Sequence, residues 1–212
     1  MNTTELLTVF REEVADVAEP YLWSNALIYG YIDDAQKQFC RKTNGIEDSR
    51  SFTLTITPAT EWYKLDARIL KVRRASHQTT GLPLDVLAYD KLDERGIRFN
   101  GQVGTVKTLV TGMEKSTLRA HPIPNVAEVV ELHTFRLPKT VEEGDDFEID
   151  EQHHPFLLHW VKHRAYNVQD AETVDKRKSD EFLAKFEAYC LSAKNDQNRV
   201  TRPVGTVVYG GL

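Results

Sequence analysis

The apolar residues of this chain change period twice, from the three-and-four spacing of a helix to the alternation of a strand and back, and that double switch limits the folds open to it. Leu6, Phe10, Val14, Val17 and Tyr21 form a first helical stripe, which Pro20 is expected to stop. Ser24 has the side chain of an N-cap, and Leu27, Ile28, Tyr31, Ile32, Ala35 and Phe39 predict a second helix running to about Lys42. Asn44-Gly45 closes it, because both residues accept the left-handed conformation found past a helix end.

In the middle block the period is two. Phe52, Leu54 and Ile56 alternate with Thr53, Thr55 and Thr57, which predicts a strand with one buried and one wet face. Tyr63, Leu65, Ile69, Leu70 and Val72 predict one or two more, and short apolar runs follow at 105–111, 116–120 and 128–136. Gly81, Gly96, Gly101, Gly104 and Gly112 punctuate the turns, and Pro138 ends the block. Strands at this spacing read as a small antiparallel β-sheet or sandwich.

Residues 142–151 hold seven acids and no base, the composition of a solvated connector leading into a helix whose N-terminal dipole favours negative charge. Leu157, Leu158, Val161, Ala165 and Val168 predict a third helix. Thr173 could cap a fourth, carrying Phe182, Phe186, Tyr189, Cys190 and Ala193. Amphipathic helices need partners, so the expected architecture is α+β: a split four-helix bundle from 1–45 and 151–194, with 46–150 inserted as a small β domain plus the acidic connector. Residues 195–212, ending Val204-Gly-Thr-Val-Val-Tyr-Gly-Gly-Leu, read as an extended C-terminal arm.

Charge and hydropathy exclude several function classes. With 27 basic and 32 acidic residues the formal charge is −5, which argues against a protein whose main work is gripping nucleic acid. The longest stretch free of charged residues is the 13 from Pro20 to Ile32, short of the ~20 apolar residues that span a bilayer. The N-terminal Met-Asn-Thr-Thr-Glu lacks the basic and apolar regions of a signal peptide. Cys40 and Cys190 both fall in predicted helices and read as reduced, half-buried thiols.

Candidate chemistry is sparse. His153, His154, His159 and His163 cluster, and the last two are one helical turn apart, the spacing that can hold a metal. No Glu stands between them to make His-Glu-x-x-His and no third ligand is evident, so they read as surface or interface histidines, with no metal and no cofactor expected. The acidic run lacks the ligand order of a calcium loop. Asp33 and Asp34 are adjacent on a helix and point about 100° apart, so they cannot face each other as a catalytic pair; they read as surface charges or contacts to a neighbouring subunit. Lys71, Arg73 and Arg74 form the only basic cluster of the β block, read as a solvated strand edge rather than a DNA site. Trp23, Trp62 and Trp160 read as packing residues. No nucleophile elbow, phosphate-binding loop, dinucleotide fingerprint or Cys-x-x-Cys occurs, and the protein is expected not to be an enzyme.

Several strings, in order, resemble the head-to-tail adaptor (neck, or head-completion) proteins of tailed bacteriophages, especially the short-tailed type. They are Thr4-Glu-Leu-Leu, then Leu22-Trp-Ser-Asn, Tyr31-Ile-Asp-Asp-Ala-Gln and Cys40-Arg within 20–43, then Tyr63-Lys-Leu-Asp-Ala-Arg-Ile-Leu-Lys-Val. Phe147-Glu-Ile-Asp-Glu-Gln-His-His-Pro-Phe-Leu-Leu-His-Trp-Val-Lys-His-Arg-Ala-Tyr is similar to the family's third helix, and 175–186 to its fourth. The resemblance implies a structural virion protein, assembled in the bacterial host cytoplasm, that forms a homo-oligomeric ring, expected to be dodecameric, below the portal vertex. It further implies contacts to the portal protein and to tail nozzle or tail-fibre proteins, with genomic DNA enclosed without specific binding and no membrane. A wall of mild negative charge suits a channel through which DNA slides. The resemblance carries portal binding to the arm, at Arg199, Arg202, Val204, Val207, Val208 and Tyr209, where alternating side chains suit strand addition or a groove on the partner. The alternatives are another tail accessory protein, or a metal-dependent enzyme built on the histidines.

Overall fold

The computed structural model describes residues 1–168 and 174–201. The chain divides into two compact units, one made of residues 1–45 and 138–212, the other of residues 46–137.

The first unit is helical: α1 is Thr3–Glu13, α2 is Asn25–Lys42, α3 is His154–Tyr166 and α4 is Lys176–Thr201. Helix α1 starts in a capping box, with the Asn2 side chain accepting from the Glu5 amide and the Glu5 carboxylate accepting from the Asn2 amide. It ends at Glu13, earlier than the apolar stripe implies. Ala15 adopts a left-handed conformation and the Asp16 amide turns back to the Arg11 carbonyl, so the stop lies ahead of Pro20 and leaves Val17 65% exposed. In α2 the expected cap is in place, Ser24 accepting from the Leu27 amide at 3.3 Å, and Ile28, Ile32, Ala35 and Phe39 are buried. Helix α4 is capped by Asp175, whose carboxylate accepts from the Lys178 amide at 3.0 Å; the expected cap, Thr173, lies outside the described residues.

The expected split four-helix bundle carrying a small inserted sheet is overturned. The helices are not four equivalent amphipathic staves: α3 is central and packs on α1, α2 and α4. Its buried positions, His154, Leu157, Leu158, Val161, Lys162 and Ala165, recur at the three-and-four spacing of one face, but that face includes the polar His154 and Lys162 beside the apolar residues.

The second unit supplies the larger correction. Its strands are β1 Ile46–Ile56, β2 Trp62–Lys64, β3 Ile69–His77, β4 Pro83–Ala88, β5 Val103–Gly104, β6 Thr108–Thr111, β7 Thr117–His121, β8 Ile123–Pro124 and β9 Glu128–Arg136. Seven of them form one sheet in the order β1-β9-β3-β4-β6-β7-β2, while β5 and β8 pair as a parallel two-stranded ribbon. The sheet is mixed, since β4 and β6 run parallel. Two parallel strands need a long crossover, here residues 89–107, which no local apolar pattern announces. Strand β4 also escaped the sequence reading, because Pro83 and a short apolar run between Gly81 and Gly96 look like a loop. One core of Phe52, Leu54, Ile56, Val72, Leu109, Leu118, Val130 and Leu132 underlies this sheet.

Strand β3 is irregular against β9. Ile69 pairs with Arg136, then Lys71 with Phe135, Val72 with Thr134 and Arg74 with His133, so Leu70 and Arg73 are extra residues at two bulges. Strict alternation would turn Arg74 to the same face as the buried Val72; the second bulge keeps Arg73 and Arg74 both exposed and returns Ala75 to the core.

Candidate functional site

The histidines that invited a metal reading are separately committed. His153 Nδ1 is 2.8 Å from the Tyr189 hydroxyl, with its ring 4.7 Å from Phe39. His154 Nε2 is 2.9 Å from the Ile149 carbonyl and so carries the proton, leaving Nδ1 buried without a partner. His159 stacks on Phe182 and its Nδ1 is also buried and unpartnered, while His163 Nδ1 lies 3.0 Å from both oxygens of Ser179. Burial holds His153 below the usual imidazole range, and burial, with the nearby Lys162 and Lys185, does the same to His159. Among the described residues no group of three or more His, Cys, Asp or Glu is arranged to hold a metal ion.

Asp33 and Asp34 act as struts within the helical unit. Asp33 accepts from Gln36 Nε2 (3.1 Å), Lys37 Nζ (2.5 Å) and the Val141 amide (3.2 Å), while Gln36 also donates to the Lys139 carbonyl (2.9 Å). Asp34 accepts from Trp160 Nε1 at 2.8 Å and from Arg164 at 3.3 Å. Their different directions on α2 serve two anchors, which corrects their reading as surface charges. A buried Arg11 builds the α1–α2 loop: its guanidinium pairs with Asp16, donates to the Trp23 carbonyl (2.6 Å) and Asn25 Oδ1 (2.7 Å), and lies 3.7 Å from the Tyr21 ring centre.

The cysteines are deeper than expected. Cys40 and Cys190 are free and fully buried, and burial pushes the Cys190 thiol up to about 12. Trp23 packs edge-on against Phe10 and donates to the Ala165 carbonyl, and Trp160 lies against Phe186. Trp62 departs from the packing reading: it is 39% exposed, with the Arg119 guanidinium 5.3 Å from its ring. That guanidinium pairs with Glu61 (2.8 Å) and covers Phe99 at 3.7 Å, clasping the β4–β6 crossover to β7.

Two charged surfaces are pre-built. On the β unit, Lys71, Arg73 and Arg74 are exposed on β3, Arg73 pairing with Glu47 on β1, which is also 3.3 Å from His133 on β9. Although β3 lies between β9 and β4 in the sheet order, β4 joins it only at Ala75 and Ser76, so among the described residues Lys71 to Arg74 pair with β9 alone, in keeping with the reading of a solvated strand edge. On the helical unit the acidic connector is a held turn. Thr3 donates its amide to the Asp145 carbonyl (3.0 Å) and its hydroxyl to the Glu142 carbonyl (2.7 Å), Asn2 bridges to Asp146, and Gly144 supplies the left-handed residue. Residues 142–146 are all exposed.

Of the proposed portal residues, Arg199 is placed. It lies on the exposed end of α4 with an ion pair to Asp196 at 3.1 Å. The segment 195–201 is helix where an extended arm was expected, since nothing breaks a helix before Pro203, and Gln197 and Asn198 each accept from Asn44 (3.2 and 3.1 Å). Arg202, Val204, Val207, Val208 and Tyr209 lie outside the described residues.

The polar side chains singled out by the sequence build turns, struts and presented surfaces. The chain matches the family described as SU10 adaptor protein over residues 1–207 and belongs to that family. This bears out the resemblance to tailed-phage head-to-tail adaptors and marks the chain as a phage adaptor, a virion component of a family that is in general non-enzymatic. No curated protein matches the chain. No helix among the described residues is long and apolar enough to cross a membrane.

Proposed function

We propose that the chain forms a homo-oligomeric ring, dodecameric by the resemblance, below the portal vertex, and that this ring offers the surface to which tail nozzle or tail-fibre proteins attach. The match to an adaptor family across nearly the whole chain carries this reading. Helix α4 supports it: beyond the buried Ala193 its last turns are largely exposed and lead to the segment read as the portal anchor. In that anchor Arg199 and Arg202 pair with portal acids, and Val204, Val207, Val208 and Tyr209 enter a groove or add a strand. Net charge of −5 keeps the enclosed genome from adhering to the channel wall.

The test is reconstitution. Purified protein mixed with portal rings should form portal-bound rings visible by electron microscopy, and heads assembled without the protein should fail to acquire tails. Tailed, infectious particles made in its absence would defeat the proposal.

A further inference from the structure

The two units carry opposite charge. Residues 46–137 hold 13 basic and 11 acidic side chains, a net of 13 − 11 = +2; the remaining segments hold 14 basic and 21 acidic, a net of 14 − 21 = −7. On the β unit the surplus is concentrated by the β3 bulges, which expose Lys71, Arg73 and Arg74 within four consecutive positions. Glu47 answers Arg73, while Lys71 and Arg74 have no ion-pair partner among the described residues. On the helical unit, Glu142, Glu143 and Asp146 have no ion-pair partner among the described residues, and the turn carrying them is fixed by Asn2 and Thr3. The backbone of each surface is held before any partner arrives, by the β3–β9 pairing and by the bonds to Asn2 and Thr3, which leaves mainly side-chain entropy to oppose their meeting.

We propose that the acidic turn 142–146 of one copy docks on the β3 basic patch of a second copy. The argument is charge complementarity. A two-fold contact centred on either surface would set like against like, whereas turn against patch pairs opposite charges, and repeated head to tail it is the heterologous geometry that closes into a ring. This rests on the ring reading above and names the subunit contact within it. A duplex DNA backbone is the competing occupant of the patch. The preformed acidic turn on the same chain, exposed beside no basic side chain from 142 to 146, favours the second copy.

The test mixes protein labelled with nitrogen-15 and unlabelled protein at low ionic strength and joins touching amines and carboxylates with a zero-length carbodiimide. Mass spectrometry should find hybrid cross-links between Lys71 and the 142–146 peptide, which only two copies can produce. Reversing the patch with Lys71→Glu and Arg74→Glu should weaken self-association on the order of tenfold, and adding Glu143→Lys and Asp146→Lys should restore it. Self-association without the hybrid link, unaffected by the reversal, would overturn this contact while leaving the ring standing. No self-association at any concentration, alone or on portal, would overturn both. Loss of duplex DNA retention in the reversed variant, with self-association unchanged, would assign the patch to nucleic acid.

Discussion

Asp48 and Arg136 make a buried pair at 2.6 Å beside the β1 bulge. Burial alone would raise the Asp48 carboxyl, but the amides of Arg50 and Ser51, the Ser51 hydroxyl and the Arg136 guanidinium outweigh it and hold the group far below the carboxylate range. A depressed folded pKa contributes stability that is present above the unfolded value, about 3.9, and is lost as pH falls toward the folded one. The β unit should therefore weaken below about pH 4. Asp48→Asn should lower its unfolding free energy by about 3 kcal/mol in urea titrations at pH 7, because Arg136 is left buried opposite a neutral group. His153 and His159 act with the opposite chemistry and the same sign. Held neutral by burial, they should cost the helical unit stability as pH falls below about 6.5, with a slope of at most about 1.4 kcal/mol per pH unit for each proton. Thermal midpoints from pH 8 to pH 5 should fall, and His159→Gln should flatten the curve. Sequence spacing placed His159 and His163 one turn apart on a helix but could not show that each ring faces a different neighbour.

At the scale of elements, the caps were legible and the bulges were not. Ser24 announced α2 because a hydroxyl before an apolar stripe satisfies an orphan amide wherever the helix packs, and Ser24→Ala should cost about 1 kcal/mol by chemical denaturation. The β3 bulges depend on register with β9, a strand more than 50 residues away, so alternation within β3 could not reveal them. Arg73→Ala should be tolerated within about 1 kcal/mol, since the ion pair to Glu47 is exposed. Deleting Arg73 should also leave the β unit folded, because it removes the extra residue of the second bulge and keeps Val72, Arg74 and Ala75 opposite Thr134, His133 and Leu132; circular dichroism of the two variants checks both outcomes. Helix α4 outran its expected end for a related reason. The polar run 194–199 looks like a linker in isolation but continues a helix whose far turns bond to Asn44.

For the whole molecule, the sheet's first and last strands are neighbours: Ile46 pairs with Arg136, so the ends of the 46–137 unit meet. A segment whose termini meet and whose core is its own is expected to fold when excised, and residues 46–137 expressed alone should show a cooperative thermal transition. Removing 202–212 should leave the thermal midpoint of the remaining protein within about 1 °C, since the cut follows the last helical residue, while abolishing portal capture in a pull-down. Capture at normal affinity by the truncated protein would move the anchor elsewhere.

The sequence by itself determined where helix gives way to strand, the α2 cap, the acidic character of 142–151 and, through ordered strings along the chain, membership in an adaptor family. These are properties of neighbouring residues, and local periodicity, capping chemistry and composition act within a few positions of one another. Tertiary structure alone decided that α3 is the central helix, that the strands join in one mixed sheet through the parallel β4–β6 pair, and that Asp33 and Asp34 are internal anchors. Each of those depends on a partner distant in the chain, whose contribution is burial and register, and neither leaves a mark on the spacing of the residues that receive it.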